Sequence, residues 1–200
     1  SRLVFVTHAI PTAMAVSSGP PPRSAAGGYV DWHQVVAAEV TRQVAAQRDV
    51  DQQWDLVYCS RSGPPTQSWT EPDVNDHLEG LSAAGAPGVV LIPIGFVSDH
   101  MEVIYDLDTE AAETAERLGL PFARAATAGT DPIFVAALVD LIVERAEVAR
   151  SDEDAALVGE PEGVPVVPGG RAGRYACLPF CCPNPRDPDR PALCQVSLSN

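Results

Sequence analysis

The sequence predicts an α/β fold: a Rossmann-like, four-stranded parallel sheet flanked by helices, followed by an irregular Cys-rich C-terminal tail. Three observations carry this expectation. Short β-branched apolar runs alternate four times with longer segments of helical spacing, as in parallel sheets with right-handed crossovers. The 200 residues are 46% hydrophobic, enough for the core of one ordinary domain. Beyond about residue 150 the periodic apolar residues give way to Gly, Pro and acids. The expected organisation is an α/β half over 1–150, an acidic Gly/Pro linker over 151–170 and the Cys-rich tail over 171–200.

Each element follows from local pattern. Leu3 to Thr7 is a short apolar strand with His8 at its C-terminal end. Ile10 to Gly28, rich in Pro, Gly, Ser and Ala, reads as a loop of the length that is often functional. From Tyr29 to Gln47, Val36, Val40 and Val44 recur every four residues and predict a helix. Trp54 to Cys59 is the second strand, followed by the turn-rich Ser60-Arg61-Ser62-Gly63-Pro64-Pro65. A helix starts at Glu71 or Asp73 and runs to about Ala84. Gly88 to Ile94 is the third strand, ended by Gly95. Ser98 and Asp99 are N-cap types that open a helix reaching Leu118. Pro121 to Ala126 is an edge strand, where Pro is tolerated at the first position. Asp131-Pro132 opens the last helix, with Phe134, Leu138, Leu141 and Ile142 at helical spacing and an end near Arg150.

Composition narrows the function. A formal charge of −14 argues against nucleic acid, whose binding relies on Lys and Arg neutralising phosphates, and suits the collection of cations. No apolar run approaches the ~18 residues of a transmembrane segment. The opening Ser1-Arg2-Leu3-Val4-Phe5-Val6-Thr7 is too short for the apolar region of a signal peptide and lacks Met, so the chain reads as a fragment missing an N-terminal portion. Four of the five cysteines, Cys177, Cys181, Cys182 and Cys194, crowd into the tail. Without a secretion signal this implies a reducing cytoplasmic setting, and a metal or cluster before a disulfide framework.

The chemistry concentrates after the third strand. Glu102, Asp106 and Glu110 fall at i, i+4 and i+8, with Glu113 one turn further and no Lys or Arg between Asp99 and Glu116. Like charges at that spacing cost a few tenths of a kcal/mol per pair. Such a stripe is ordinarily a solvated face. Here it begins at the C-terminal end of a strand, where open α/β sheets bind ligands, and beside a His. His with carboxylates suits a divalent cation. Parallel topology should bring His8, the Ser60-Arg61 loop and the Asp99–Glu102 turn to one sheet edge. His100, next to Asp99, is either an oriented imidazole or a buried hydrogen-bonded one. Trp69 offers an aromatic face to a flat ligand or fills the core. Arg61 is placed to meet a ligand carboxylate or is an ordinary surface Arg. His33 and His77 read as surface residues.

Three segments in order resemble the ferrochelatase family, over about residues 3 to 149. Phe5-Val6-Thr7-His8-Ala9-Ile10-Pro11 resembles that family's strand ending in a catalytic His. Cys59-Ser60-Arg61-Ser62-Gly63-Pro64 with Trp69-Thr70-Glu71-Pro72 resembles its Gln-Ser-Lys/Arg-x-Gly-Pro…Trp-x-x-Pro segment. Pro93 to Glu102, running on through Tyr105 and Asp108 to Glu110, is the strongest match. Cys59 and Ala9 depart from the usual Gln and Ser or Gly.

The resemblance implies two similar α/β halves with a porphyrin, coproporphyrin III or protoporphyrin IX, between them, and Fe²⁺ as the metal inserted. Carried over, His8 is the metal-binding, proton-accepting residue and Glu102 its partner across the porphyrin centre. Asp99, His100, Asp106 and Glu110 form a polar and acidic path, while Ser60, Arg61 and Trp69 contact porphyrin. The N-terminal half is absent from this chain. Some relatives hold a 2Fe-2S cluster through a Cys-rich extension. Cys177, Cys181 and Cys182 resemble three of its ligands, with Cys194, Cys59 or a Cys of the missing half as the fourth. A tail with incidental thiols is the alternative. The Ala-rich composition and the tail favour the Gram-positive type, whose substrate is coproporphyrin III. Two other readings stand beside this one. One is a half-length cobalt or nickel chelatase active as a homodimer. The other is a metal- or haem-binding module without turnover.

Overall fold

A computed structural model describes residues 1–19, 24–64, 66–150, 166–170, 181–184 and 187. The expected linker and tail fall mostly outside the described residues. The chain divides into two compact units, Ser1–Thr12 with His33–Gly129, and Ala13–Trp32 with Thr130–Asn200.

The first unit holds the sheet. Strands β1 (Arg2–His8), β2 (Trp54–Cys59), β3 (Val89–Ile92) and β4 (Phe122–Arg124) are all parallel, in the order β2-β1-β3-β4. The expected parallel α/β sheet is therefore present. From β1 the chain steps outward to β2, then crosses back past β1 to β3 and on to β4, so the topological switch point lies between β1 and β3. Ligands of open α/β sheets bind outside the carboxyl ends of the strands at such a point.

Burial follows the two-residue period of a strand. Val4 and Val6 of β1 join Val57, Leu78, Leu91, Val103 and Leu107 in one core cluster. Leu3 and Phe5 join Ala37, Val40, Val44 and Leu56 in the other. Helix α2 (Gly28–Arg48) thus covers one face through Ala37, Val40 and Val44, while Val36, the first residue of the four-residue valine spacing, is exposed. Helix α3 (Val74–Ala83), capped by Asp73, lies on the opposite face. By this alternation Thr7 belongs to the α2 face and His8 to the α3 face.

Two expectations change. The long loop contains a short helix, α1 (Thr12–Ser17). The single helix expected from Asp99 to Leu118 is three consecutive pieces: α4 (Met101–Val103), a π-helical segment (Ile104–Ala111) and α5 (Ala112–Leu118). Its N-cap is His100, whose Nδ1 accepts the Val103 N–H, rather than Ser98 or Asp99. In the second unit α6 (Pro132–Arg150) forms as expected but carries no buried residue; Ile133 is 82% exposed, and Leu138, Leu141 and Ile142 are also exposed. No helix among the described residues is long and apolar enough to cross a membrane.

Candidate active site

Three strand ends build the site. His8 closes β1 and pairs in register with Cys59 at the end of β2. The Ala9 N–H donates to the Cys59 carbonyl at 2.7 Å, extending the ladder one step past the imidazole. Beyond it the chain is zipped to the segment after β2: Thr12 N–H donates to the Ser68 carbonyl, and Thr70 N–H to the Ile10 carbonyl.

The loop after β3 crosses close to β1 because residue 95 is Gly. A Cβ there would lie 2.0 Å from the Thr7 hydroxyl oxygen, a distance no side chain tolerates. Gly95 N–H also donates to the Val6 carbonyl at 3.2 Å. The turn that follows therefore lands beside His8.

His8 Nε2 stands 3.5 Å from Glu102 Oε1, with the two side chains 36% and 49% exposed. His8 Nδ1 lies 2.5 Å from the Ala9 carbonyl oxygen. A carbonyl only accepts, so Nδ1 carries the proton and Nε2 is left as the nitrogen facing Glu102. The two groups are adjacent: a flat ring between two side chains needs about 7 Å, so none fits between them at this separation.

The acidic residues of this segment meet different surroundings. In an α-helix four residues overshoot one turn. In a π-helix, with i→i+5 bonding, they fall short of one. Asp106 accepts a hydrogen bond from the Ser60 hydroxyl at the end of β2. Ser60 makes this bond from a left-handed backbone (φ 62°), sparsely populated outside Gly. Asp108 and Asp99 both bind Arg124 of β4. Glu110 is exposed. The cation missing from the Asp99–Glu116 sequence thus arrives from the neighbouring strand. Nothing in the sequence near the stripe signals Arg124; only the predicted edge strand next to β3 would have placed it there.

The other candidates take defined places. His100 is exposed, caps α4 and meets Phe96 edge-to-face at 5.5 Å between centroids. Arg61 is exposed in the loop after β2. Trp69 is half-buried on the backbone of Gly63, where a Cβ would lie 2.1 Å from the indole ring. Its Nε1 is buried with no hydrogen-bond partner among the described residues. His33 and His77 are bonded rather than plain surface groups: His33 Nε2 lies 3.0 Å from the Thr7 hydroxyl and His77 Nε2 3.1 Å from Asp55.

Cys59 is buried beneath the site. Burial first, then the Asp106 and Glu102 carboxylates, push its thiol up to about 12 against the opposing hydrogen bond from Ser60. In the second unit Cys181 and Cys182 place their sulfurs 3.7 Å apart, and the Gly19 N–H donates to Cys182 Sγ. Cys177 and Cys194 lie outside the described residues. Among the described residues no three His, Cys, Asp or Glu side chains gather as a ready-made metal site.

Comparison with known proteins gives the family. The family model described as Ferrochelatase matches residues 1–146. A coproporphyrin III ferrochelatase of Streptomyces coelicolor is 54% identical over 154 residues, covering 76% of this chain and 41% of that protein. One from Propionibacterium freudenreichii is 44% identical over 193 residues, covering 96% of this chain and 49% of that protein. The chain therefore spans less than half the length of these relatives. Among solved structures, a putative cobalamin biosynthesis CbiX protein from Marinobacter aquaeolei aligns with a TM-score of 0.41 at 13% identity, over 73% of this chain and 97% of that one. The fold assignment rests on strand order and register instead. On the family match and these identities, the chain belongs to the ferrochelatase family.

Proposed function

We propose that this chain is the C-terminal half of an enzyme that inserts Fe²⁺ into coproporphyrin III, with His8 and Glu102 as its catalytic pair. The observation that carries the reading is the 3.5 Å approach of His8 Nε2 to Glu102 Oε1 at the topological switch point, with Nδ1 committed to Ala9. Two ligands at about 2.1 Å from one tetrahedrally bound cation stand about 3.4 Å apart. The pair therefore fits two ligand positions on one metal, and water and the porphyrin nitrogens supply the rest. The similarity to coproporphyrin III ferrochelatases supports coproporphyrin III as the porphyrin.

Insertion exchanges two pyrrole N–H protons for one Fe²⁺. His8 Nε2 is the acceptor for a departing proton, because an imidazole takes up a proton near neutral pH. Glu102 offsets the charge of the arriving cation and accepts the second departing proton, which it passes outward. Asp106, held by Ser60, and exposed Glu110 continue the acidic route to solvent. Arg61 and Trp69 stand on the loop after β2, where a porphyrin carboxylate and ring face would meet them. The exposed apolar face of α6 supports a second half packed against this one, since patches of that kind mark interaction surfaces. The reducing conditions that Fe²⁺ and unpaired thiols need suit a cytoplasmic enzyme.

The residues present fit a 2Fe-2S cluster in part. Two thiolates on one tetrahedral iron lie about 3.7 Å apart, the separation of Cys181 and Cys182. These two would be ligands, with Cys177 and Cys194 completing four. A cluster there would supply one-electron chemistry or a structural tie. Cys59, buried at the end of β2, is not needed for this set of four. Cys182→Ser should abolish any visible cluster absorption of the anaerobically purified complete protein; unchanged absorption contradicts the assignment.

His8→Ala in the complete protein tests the central pair. Iron insertion, followed as loss of porphyrin fluorescence on adding Fe²⁺, should stop while porphyrin binding persists. Near-normal turnover removes His8 from the mechanism.

A further inference from the structure

We propose that Arg124 is a positioning residue: by clamping Asp99 and Asp108 it holds the segment bearing Glu102 against the sheet edge, beside His8. The inference rests on the function proposed above for that pair. Arg124 ends β4, and its register partner is Leu91 of β3. The Ala125 N–H donates to the Leu91 carbonyl at 2.8 Å, so the backbone beneath the guanidinium is fixed to the sheet.

From that base the planar fork reaches both sides of Glu102. Nη1 donates to Asp99 Oδ1 at 2.7 Å, three residues before Glu102. Nε donates to Asp108 Oδ1 at 2.7 Å and Nη2 to Asp108 Oδ2 at 2.5 Å, six residues after it. Nη1 also meets the Ala125 carbonyl at 3.2 Å. The bidentate grip on Asp108 is the geometry that Arg, and not Lys, supplies. The Arg124 side chain is only 14% exposed, while the two carboxylates it grips are each 36% exposed. A further tie, from Gly129 N–H to the Val97 carbonyl at 2.7 Å, braces the same loop.

The segment needs such a clamp. Asp108 sits within the π-helical turns, and a π-helix is rare and appears mostly as single-turn bulges inside α-helices. Conversion to an α-helix would advance every side chain on one side of the bulge by one position. Asp108 bound at its present register opposes that slide. Among the described residues, the Glu102 carboxylate has no hydrogen-bond or ion-pair partner besides His8.

The test uses the complete protein with Fe²⁺ and coproporphyrin III. Arg124→Gln and Asp108→Asn should each lower kcat about 10-fold with the porphyrin KM within about twofold. The double variant should be no worse than the more damaged single, because both changes break one clamp. Glu102→Gln serves as the control for the underlying function. If Glu102→Gln is inactive while Arg124→Gln keeps wild-type kcat, Arg124 has no positioning role and the proposed function stands. If Glu102→Gln keeps turnover, the function reading fails and this inference with it. A kcat loss that merely tracks the lost fraction of folded, porphyrin-binding protein also overturns the positioning role. Should Arg124→Gln not fold, Asp108→Asn is judged by the same criteria.

Discussion

The Asp106 carboxylate accepts the Ser60 hydroxyl and so joins the end of β2 to the π-helical segment. This bond separates Asp106 from Glu110, which the sequence places on one stripe. Asp106→Asn should lower kcat about 10-fold, ~1.4 kcal/mol in barrier, and lower stability by about 1 kcal/mol as a charge-assisted bond becomes a neutral one. Glu110 is exposed, so Glu110→Gln removes mainly repulsion. Its stability should stay level or rise by a few tenths of a kcal/mol, with a smaller loss of activity. Thermal unfolding and kcat of the two variants check this; full activity in both would reduce the stripe to a solvated face.

At the opposite end of the sheet, Arg2 Nη2 donates to Asp55 at 2.8 Å and His77 approaches the same carboxylate at 3.1 Å. Burial pushes the Asp55 carboxyl up, but the bonds from Arg2 and then His77 outweigh it and hold the net value below the ordinary one. A depressed native value means that the unfolded chain binds the proton first as pH falls. The contribution is therefore full above the ordinary carboxyl pKa of ~3.9 and is lost below it. Asp55→Asn should cost about 1 kcal/mol at pH 7, a value trimmed by partial solvent screening. The difference from wild type should be largest near pH 5 or above and shrink from pH 5 toward pH 3. A difference that grows between pH 5 and pH 3 contradicts the assignment.

The sheet was legible because each strand is a short apolar run with a turn or helix signal behind it, and β1 is buried on both faces. His8 is the last residue of β1, so its place follows from the strand, whereas Glu102 lies in α4 beyond the loop after β3 and only the parallel topology points it to the same sheet edge. The π-helical bonding was not legible. The sequence from Ile104 to Ala111 has ordinary helical periodicity, and the extra residue per turn goes with partners remote in sequence, Ser60 and Arg124. The α6 side chains were legible as one helical face, but nothing local tells whether such a face is covered. The adjacency of His8 and Glu102 depends on the close approach of Gly95 to Thr7, a tertiary contact without a sequence signature.

The most direct test of the account is the kcat of Glu102→Gln in the complete protein, with porphyrin affinity measured in parallel. The substitution keeps size and shape and removes only the charge and the proton acceptor 3.5 Å from His8 Nε2. The account predicts that iron insertion falls by at least about 1000-fold, over 4 kcal/mol in barrier, with porphyrin affinity nearly unchanged. Turnover within a few-fold of wild type would contradict it.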